Sequence, residues 1–271
     1  MRIASIEERR QFYSGEFTLT KIRDWFRGWQ SPLVFAAVIG RHTGIAPKKY
    51  RRELARPIVI DEYRSLSELK NYLIDFRPES AYYDRNVYKD WHQARSAEHD
   101  KAQLGHSFGQ ELVFDVDPEN FACPIHGTLG EKMRKHQGLS FCRLEFQLAQ
   151  QEAVQLIEIL SRKFSRISLV YSGRGFHIHV RDEETVFWNR KKRLMLVRSL
   201  IKKGFVMDEW VPAGGMRLIR LPYSLNGLVS RIAIPLAVRE LGIFDPTTNE
   251  RSIPSFCRPR KAATSCVSFW S

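Results

Sequence analysis

The chain has 271 residues, 43% of them hydrophobic, and a formal net charge of +13 with a sequence pI near 9.8. That apolar fraction suffices for one large core or two modest ones, and no apolar run approaches the length of a membrane span, the longest lying around Leu33 to Ile39. The opening Met1-Arg-Ile-Ala-Ser-Ile-Glu-Glu-Arg-Arg10 is charged too early for a secretory signal, and four cysteines without an export signal argue against disulfides, so a soluble intracellular protein is expected.

Basic residues cluster at Lys48, Lys49, Arg51, Arg52 and Arg56, at Arg190 to Arg193, at Arg198, Lys202 and Lys203, and at Arg258, Arg260 and Lys261. Such clusters attract phosphate backbones through long-range fields and counterion release, although a solvated cationic surface or an acidic protein partner reads the same way. No internal repeat, low-complexity segment or Gly/Ser linker divides the chain. The first hundred residues mix helix-like stretches, such as Ser65 to Ile74, with the aromatics Trp25, Phe26, Trp29, Tyr82, Tyr83 and Tyr88. Core packing accounts for most of these, and exposed ones are able to stack on bases.

From about Gly109 the pattern sharpens into strand, irregular Cys/His insert, helix, strand, helix, strand. Leu112-Val-Phe-Asp-Val-Asp117 is an apolar strand that ends by placing Asp115 and Asp117 on one face, roughly 6.6 Å apart along the strand. Two converging carboxylates suit a hard divalent cation, but a lone Asp-x-Asp also fits two solvated acids. Next come Cys123, His126, His136 and Cys142, a C-x2-H-x9-H-x5-C spacing. Thiolates and imidazoles so spaced are able to close a tetrahedral site, and coincidence is the other reading.

A helix from Ala149 carries apolar residues at 149, 153, 156, 157, 160 and 164, one face at period 3.6. Ile167 to Tyr171 and Phe176 to Val180 read as strands around the turn Ser172-Gly-Arg-Gly175, whose glycines let backbone amides approach phosphate oxygens and whose Arg174 offers a matching fork. His177 and His179 share a strand face; on their own they are ordinary structural histidines or half of a metal site. A basic amphipathic helix spans Arg190 to Lys203 with Gly204 as its stop, and Leu218 to Leu221 and Arg231 to Leu236 read as further strands. Mixed strands and helices predict an α/β or α+β core, without fixing its topology.

In order, the Asp115/Asp117 pair, Tyr171-Ser-Gly-Arg-Gly-Phe-His-Ile-His179, Asp208 and Arg217-Leu-Ile-Arg-Leu-Pro-Tyr-Ser-Leu225 resemble the catalytic small subunit of archaeal and eukaryotic DNA primases, over about Ser80 to Ile253. The resemblance implies one catalytic domain over 1–271 with the archaeo-eukaryotic primase core, and a zinc-knuckle insert at 118–145. It implies Asp115, Asp117 and Asp208, rather than Glu209, as ligands of two Mg²⁺ or Mn²⁺ ions, and Ser172, Gly173, Arg174, His177 and Arg220 as contacts to an incoming triphosphate. Structural zinc on Cys123, His126, His136 and Cys142 is implied in the same way.

The implied activity is synthesis of short RNA or DNA primers on single-stranded DNA from nucleoside triphosphates, during replication in the cytoplasm or nucleoid of an archaeal cell. The implied partner is a large regulatory primase subunit that carries the iron-sulfur cluster for which this chain lacks cysteines. A stand-alone primase-polymerase and a silent nucleic-acid-binding module are the alternatives. Three departures from the family pattern stand out. The turn has a single arginine, Asn226 stands where a histidine is common, and Ser31-Pro-Leu-Val-Phe-Ala36 lacks the arginine of an N-terminal motif.

Overall fold

A computed structural model of the chain describes residues 1–29, 31–54, 56–90, 107–135 and 141–258; His136, Arg260, Lys261 and Cys266 lie outside the described residues. The apolar runs become short strands in two antiparallel sheets. The first sheet has the order β11 (Arg231–Ile232), β10 (Leu225–Asn226), β3 (Ser80–Asp84), β1 (Phe35–Val38) and β2 (Ile58–Ile60), with β9 (Leu218–Arg220) also paired to β3. The second runs β12 (Ile234–Leu236), β7 (Ile167–Tyr171), β8 (Phe176–Val180) and β6 (Leu112–Val116). A small ribbon pairs β4 (Asn86–Val87) with β5 (Gly109–Gln110).

Residues 231–236, expected as one strand, divide between the two sheets at Ala233. Ala233 is fully buried, and its N–H and C=O both pair with the Tyr223–Ser224 segment, at 2.9 Å to Ser224 O and 2.6 Å from Tyr223 N. Those two bonds occupy the backbone where a ladder would otherwise continue, so the chain crosses from one sheet to the other within a single residue. One apolar cluster joins both sheets, with Phe35, Tyr83 and Ile219 from the first and Phe114, Tyr171 and Phe176 from the second.

Around the sheets lie α1 (Ile6–Gln11), α2 (Leu19–Trp25), α3 (Leu66–Phe76), α4 (Leu129–Arg134), α5 (Arg143–Ser161), α6 (Glu183–Val186) and α7 (Arg190–Lys202). Helix α3 starts where Ser65 Oγ accepts from the Glu68 N–H at 3.3 Å, a side-chain cap for an otherwise orphan donor. Helix α5 buries Phe146, Ala149, Ala153, Leu156, Ile157 and Leu160, the face expected from periodicity, but it starts at Arg143 rather than near Ala149. The missing turn is held by Glu145, a buried carboxylate that accepts from Cys142 N at 2.7 Å and from Lys132 Nζ at 2.6 Å. A hydrophobic pattern does not register a buried ion pair. No helix among the described residues is long and apolar enough to cross a membrane.

Candidate active site

Strand β6 is buried along its length except at Asp115, which is partly exposed. The register sets Asp115 opposite His177, and His177 Nε2 lies 3.5 Å from Asp115 Oδ1. Asp117 ends the strand and caps a short 3₁₀ turn, Pro118–Asn120, with Oδ1 accepting from the Glu119 N–H at 3.3 Å. That turn brings Glu119 back beside Asp117. Arg174 Nη2 donates to both, at 3.0 Å to Asp117 Oδ1 and 2.9 Å to Glu119 Oε2.

Asp208 arrives from the segment after α7. Its N–H donates to Asp115 O at 3.4 Å, and its Oδ1 accepts from Trp210 N at 2.8 Å, whereas Glu209 faces solvent. Burial pushes the Asp115 carboxyl well above the usual carboxylate range, and the charges of Asp117, Asp208 and Glu119 push it further; Arg174 offsets part of this. The Asp117 carboxyl is also raised by burial, against the pull of Arg174. A cluster of this kind is an incomplete charge balance that a divalent cation would restore, and its oxygen donors suit a hard ion. Glu119 was not among the residues chosen from sequence. Its signal was the spacing Asp117-Pro118-Glu119, in which a proline-initiated turn returns the next acid to the strand end.

The turn between β7 and β8 is built by sterics as much as by hydrogen bonds. Ser172 N–H donates to Gly175 O at 2.9 Å, and Ser172 Oγ accepts from Gly175 N at 3.1 Å. Gly173 has φ +99, and a Cβ there would come within 2.5 Å of Asn226 Cβ. Asn226 thus packs on the turn and donates from Nδ2 to Ser172 O at 3.4 Å. Arg220, on β9, lies with its guanidinium 4.7 Å over the Tyr82 ring. Arg174 is 6% exposed, His177 5% and Arg220 7%, yet Arg174 Nε, His177 Nδ1 and both Nε and Nη1 of Arg220 have no hydrogen-bond partner among the described residues. Burial holds His177 well below the usual imidazole range, with His179, Arg220 and Arg85 adding to the effect, so it is neutral near pH 7. Buried donors without acceptors cost free energy, and an anion placed among them would recover it.

His179 shares the strand face of His177 but addresses a different group. Its Nδ1 lies 3.2 Å from Glu111 Oε1, and the Tyr83 hydroxyl donates to Glu111 Oε2 at 2.5 Å. The two histidines therefore do not converge on one ion. Although burial opposes the charge on Glu111, His179, the Arg181 guanidinium and the Tyr83 hydroxyl together hold its carboxyl down to about 2. A carboxylate with a depressed folded pKa stabilises the fold above its unfolded value, 4.5, and loses that contribution as the pH falls toward about 2. Glu111→Gln is accordingly expected to flatten the acid limb of a plot of urea midpoint against pH over that interval.

The insert places Cys123 Sγ 3.4 Å from His126 Nδ1 and 3.8 Å from Cys142 Sγ. Ligand atoms of Cys123, His126, Cys142 and Glu145 all fall within 4.8 Å of one another. Two thiolates on one tetrahedral ion at about 2.3 Å sit about 3.8 Å apart, whereas a disulfide is about 2.05 Å long, so the sulfurs are spaced for a shared metal. The Cys/His/Glu cluster is compatible with a structural metal. Glu145 is the fourth member of this set among the described residues, which do not include His136, and its carboxylate also carries the helix cap and the Lys132 pair.

No protein-family model matches the chain. It is 42% identical over 270 residues to an uncharacterized DNA primase small subunit-like protein of Archaeoglobus fulgidus, covering 97% of this chain and 95% of that one. It is 30% identical over 222 residues to the DNA primase small subunit of Pyrobaculum calidifontis, 66% of each chain, and 25% identical over 236 residues to that of Thermococcus kodakarensis, 83% of this chain and 59% of that one. The chain thus spans 66% and 59% of the length of these two subunits. Among solved structures, the polymerase domain of Mycobacterium tuberculosis ligase D in complex with DNA aligns with a TM-score of 0.43 at 13% identity, over 89% of this chain and 88% of that one.

Proposed function

Because the chain belongs to the DNA primase small-subunit family, whose members support a primase-type function, we propose that it is a nucleotidyltransferase that makes short RNA or DNA primers on single-stranded DNA. The observation that carries this reading is the meeting of two complementary deficits. Three carboxylates crowd around that of Asp115 without enough cations, and beside them buried polar atoms of Arg174, His177 and Arg220 lack partners.

In this reading Asp115, Asp117 and Asp208 hold two Mg²⁺ or Mn²⁺ ions, with Glu119 adding negative charge at their rim. Bound there, the ions would supply Lewis acidity at the primer 3′-hydroxyl and at the triphosphate. The 3′-oxygen forms a bond to the α-phosphorus while the bond to the β-phosphate oxygen breaks and pyrophosphate leaves. The chain's own groups do the holding. Arg220, fixed on Tyr82, and the neutral His177 would face the phosphate oxygens; Arg174 aligns Asp117 and Glu119 through Nη2 and leaves its buried, unpartnered Nε for the same anion. Ser172 and Gly173 shape the turn that sets Arg174, and the Ser172 proton remains free to donate. The whole chain, 1–271, would act as one catalytic domain with an insert at 118–145, beside a large primase subunit.

The test is incorporation of labelled nucleoside triphosphates on single-stranded DNA with Mg²⁺ or Mn²⁺, beside a protein carrying both Asp115→Ala and Asp117→Ala. Short products from the unaltered chain alone are expected. Their absence, also with the large subunit added, would sink the assignment.

For the insert, the proposal is one zinc ion. Cys142→Ser or a strong chelator is expected to release it and to lower Tm by about 5 °C or more, read by metal analysis and a melting curve, because a structural ion orders its segment. His136→Ala and Glu145→Ala, compared for zinc content, identify the fourth ligand.

A further inference from the structure

The loop from Asp208 to Met216 displays an aromatic ring at the rim of the carboxylate cluster. Trp210 is 63% exposed and Met216 is 46% exposed. Single exposed apolar residues are ordinary, and most sit on segments free to move. This one is held. Trp210 N–H donates to Asp208 Oδ1 at 2.8 Å, Trp210 O accepts from Gly215 N at 2.8 Å, and Gly214 N–H donates to Val211 O at 3.2 Å. The indole lies so close to Gly215 that a Cβ there would meet Trp210 Cε3 at 2.6 Å.

Arg85, fully buried on the strand side, donates from Nε to Met216 O and from Nη1 to Glu111 O, both at 2.8 Å, and from Nη2 to Val211 O. At its other end the loop is tied to β6 by the bond from Asp208 N to Asp115 O. The Trp210 backbone is therefore held two residues from Asp208, at most roughly 7 Å along the chain, with one edge of its ring against Gly215. The helix that leads into this loop exposes Lys191, Arg198 and Lys202, followed by Lys203, and none of the four is paired with a carboxylate among the described residues.

We propose that Trp210 is a stacking platform for an unpaired base of the single-stranded template next to the reacting centre. An exposed indole offers a π-face that any base is able to cover, and the unpaired cations upstream favour a polyanion. A rigid platform loses little entropy when the base lands on it. The choice of template as occupant rests on the nucleotidyl-transfer reading of the neighbouring carboxylates.

The experiment is fluorescence anisotropy with a labelled oligodeoxythymidylate, without divalent metal or nucleotide, across a salt series. Trp210→Ala is expected to weaken binding about tenfold, a stacking loss of ordinary size, with an unchanged slope of log Kd against log salt because no phosphate contact is lost. Trp210→Phe is expected to recover most of that affinity, and the affinity for free ATP in Trp210→Ala is expected to stay at the wild-type value.

Unaltered oligonucleotide binding in Trp210→Ala overturns the proposal, as does absence of binding by the wild type. An equal loss for ATP, or a loss in Trp210→Phe as large as in Trp210→Ala, also overturns it, the last marking a structural role. Primer synthesis with unaltered binding in Trp210→Ala would remove the platform and leave the transferase. Stacking without synthesis would do the reverse.

Discussion

Asp115→Asn is expected to abolish primer synthesis, by about a thousandfold or more, while raising the Tm of the metal-free protein at neutral pH. The two effects share one cause. Asp115 stands in the field of Asp117, Asp208 and Glu119 and is cut off from water on most sides, so its folded-state pKa is well above its value in the unfolded chain. An acid whose pKa rises on folding binds more protons folded than unfolded, and stability then falls as the pH climbs from about 3.8 through the folded pKa. At neutral pH, above the unfolded value, the metal-free wild type bears this cost. The amide carries none.

Added Mg²⁺ or Mn²⁺ is expected to raise the wild-type Tm by mass action and to leave Asp115→Asn nearly unmoved, because the variant has lost a ligand and a charge. Melting curves in chelator and in a metal series, at several pH values, check each part. A variant that lost activity without gaining metal-free stability would show that Asp115 is not under repulsion.

Gly175→Ala is the second large expectation. A Cβ at this position would sit 2.3 Å from Val116 O and 2.8 Å from Asp117 Cα, and both of these are backbone atoms that no rotamer change relieves. Strand β8 would have to withdraw from β6 at the point where Arg174 reaches Asp117. A loss of about 1–3 kcal/mol of stability is expected from overpacking of this kind, measured by urea unfolding. A displacement near 1 Å would also cost about a hundredfold in synthesis. Gly242→Ala, where an added Cβ meets nothing within 4 Å, is the control, with a change of no more than about 1 kcal/mol.

Those two positions mark how far a reading of residues alone reaches. The strand with Asp115, the β7–turn–β8 hairpin and helix α7 were legible, because each carries a local periodicity and its own stop signals. The hairpin shows the limit as well. Two glycines signal a turn, but nothing local says that Gly175 is required by the backbone of β6, 59 positions back from it at Val116. Strand β10, two residues long, is too short for alternation to show; β9 and β11 fall within the runs 218–221 and 231–236 that read as strands, but their register comes from pairing with β3 and with β10. The start of α5 escaped the periodic pattern because it depends on Lys132 and Glu145, whose mutual pairing makes burial tolerable.

At the site, the order of motifs along the chain named Asp115, Asp117, Asp208, Arg174, His177 and Arg220, and their chemical types alone suggested cations and phosphate. Their convergence is a property of the tertiary structure. Asp208 meets Asp115 through a backbone bond across 93 positions of chain, Glu119 returns by a proline-led turn, and Arg220 reaches the cluster from the other sheet, lying on Tyr82. The physical reason is range. Periodicity, turn chemistry and residue type act within a few residues and so are written locally, whereas repulsion among carboxylates, desolvation and a missing Cβ act between atoms that only the packed sheets bring together.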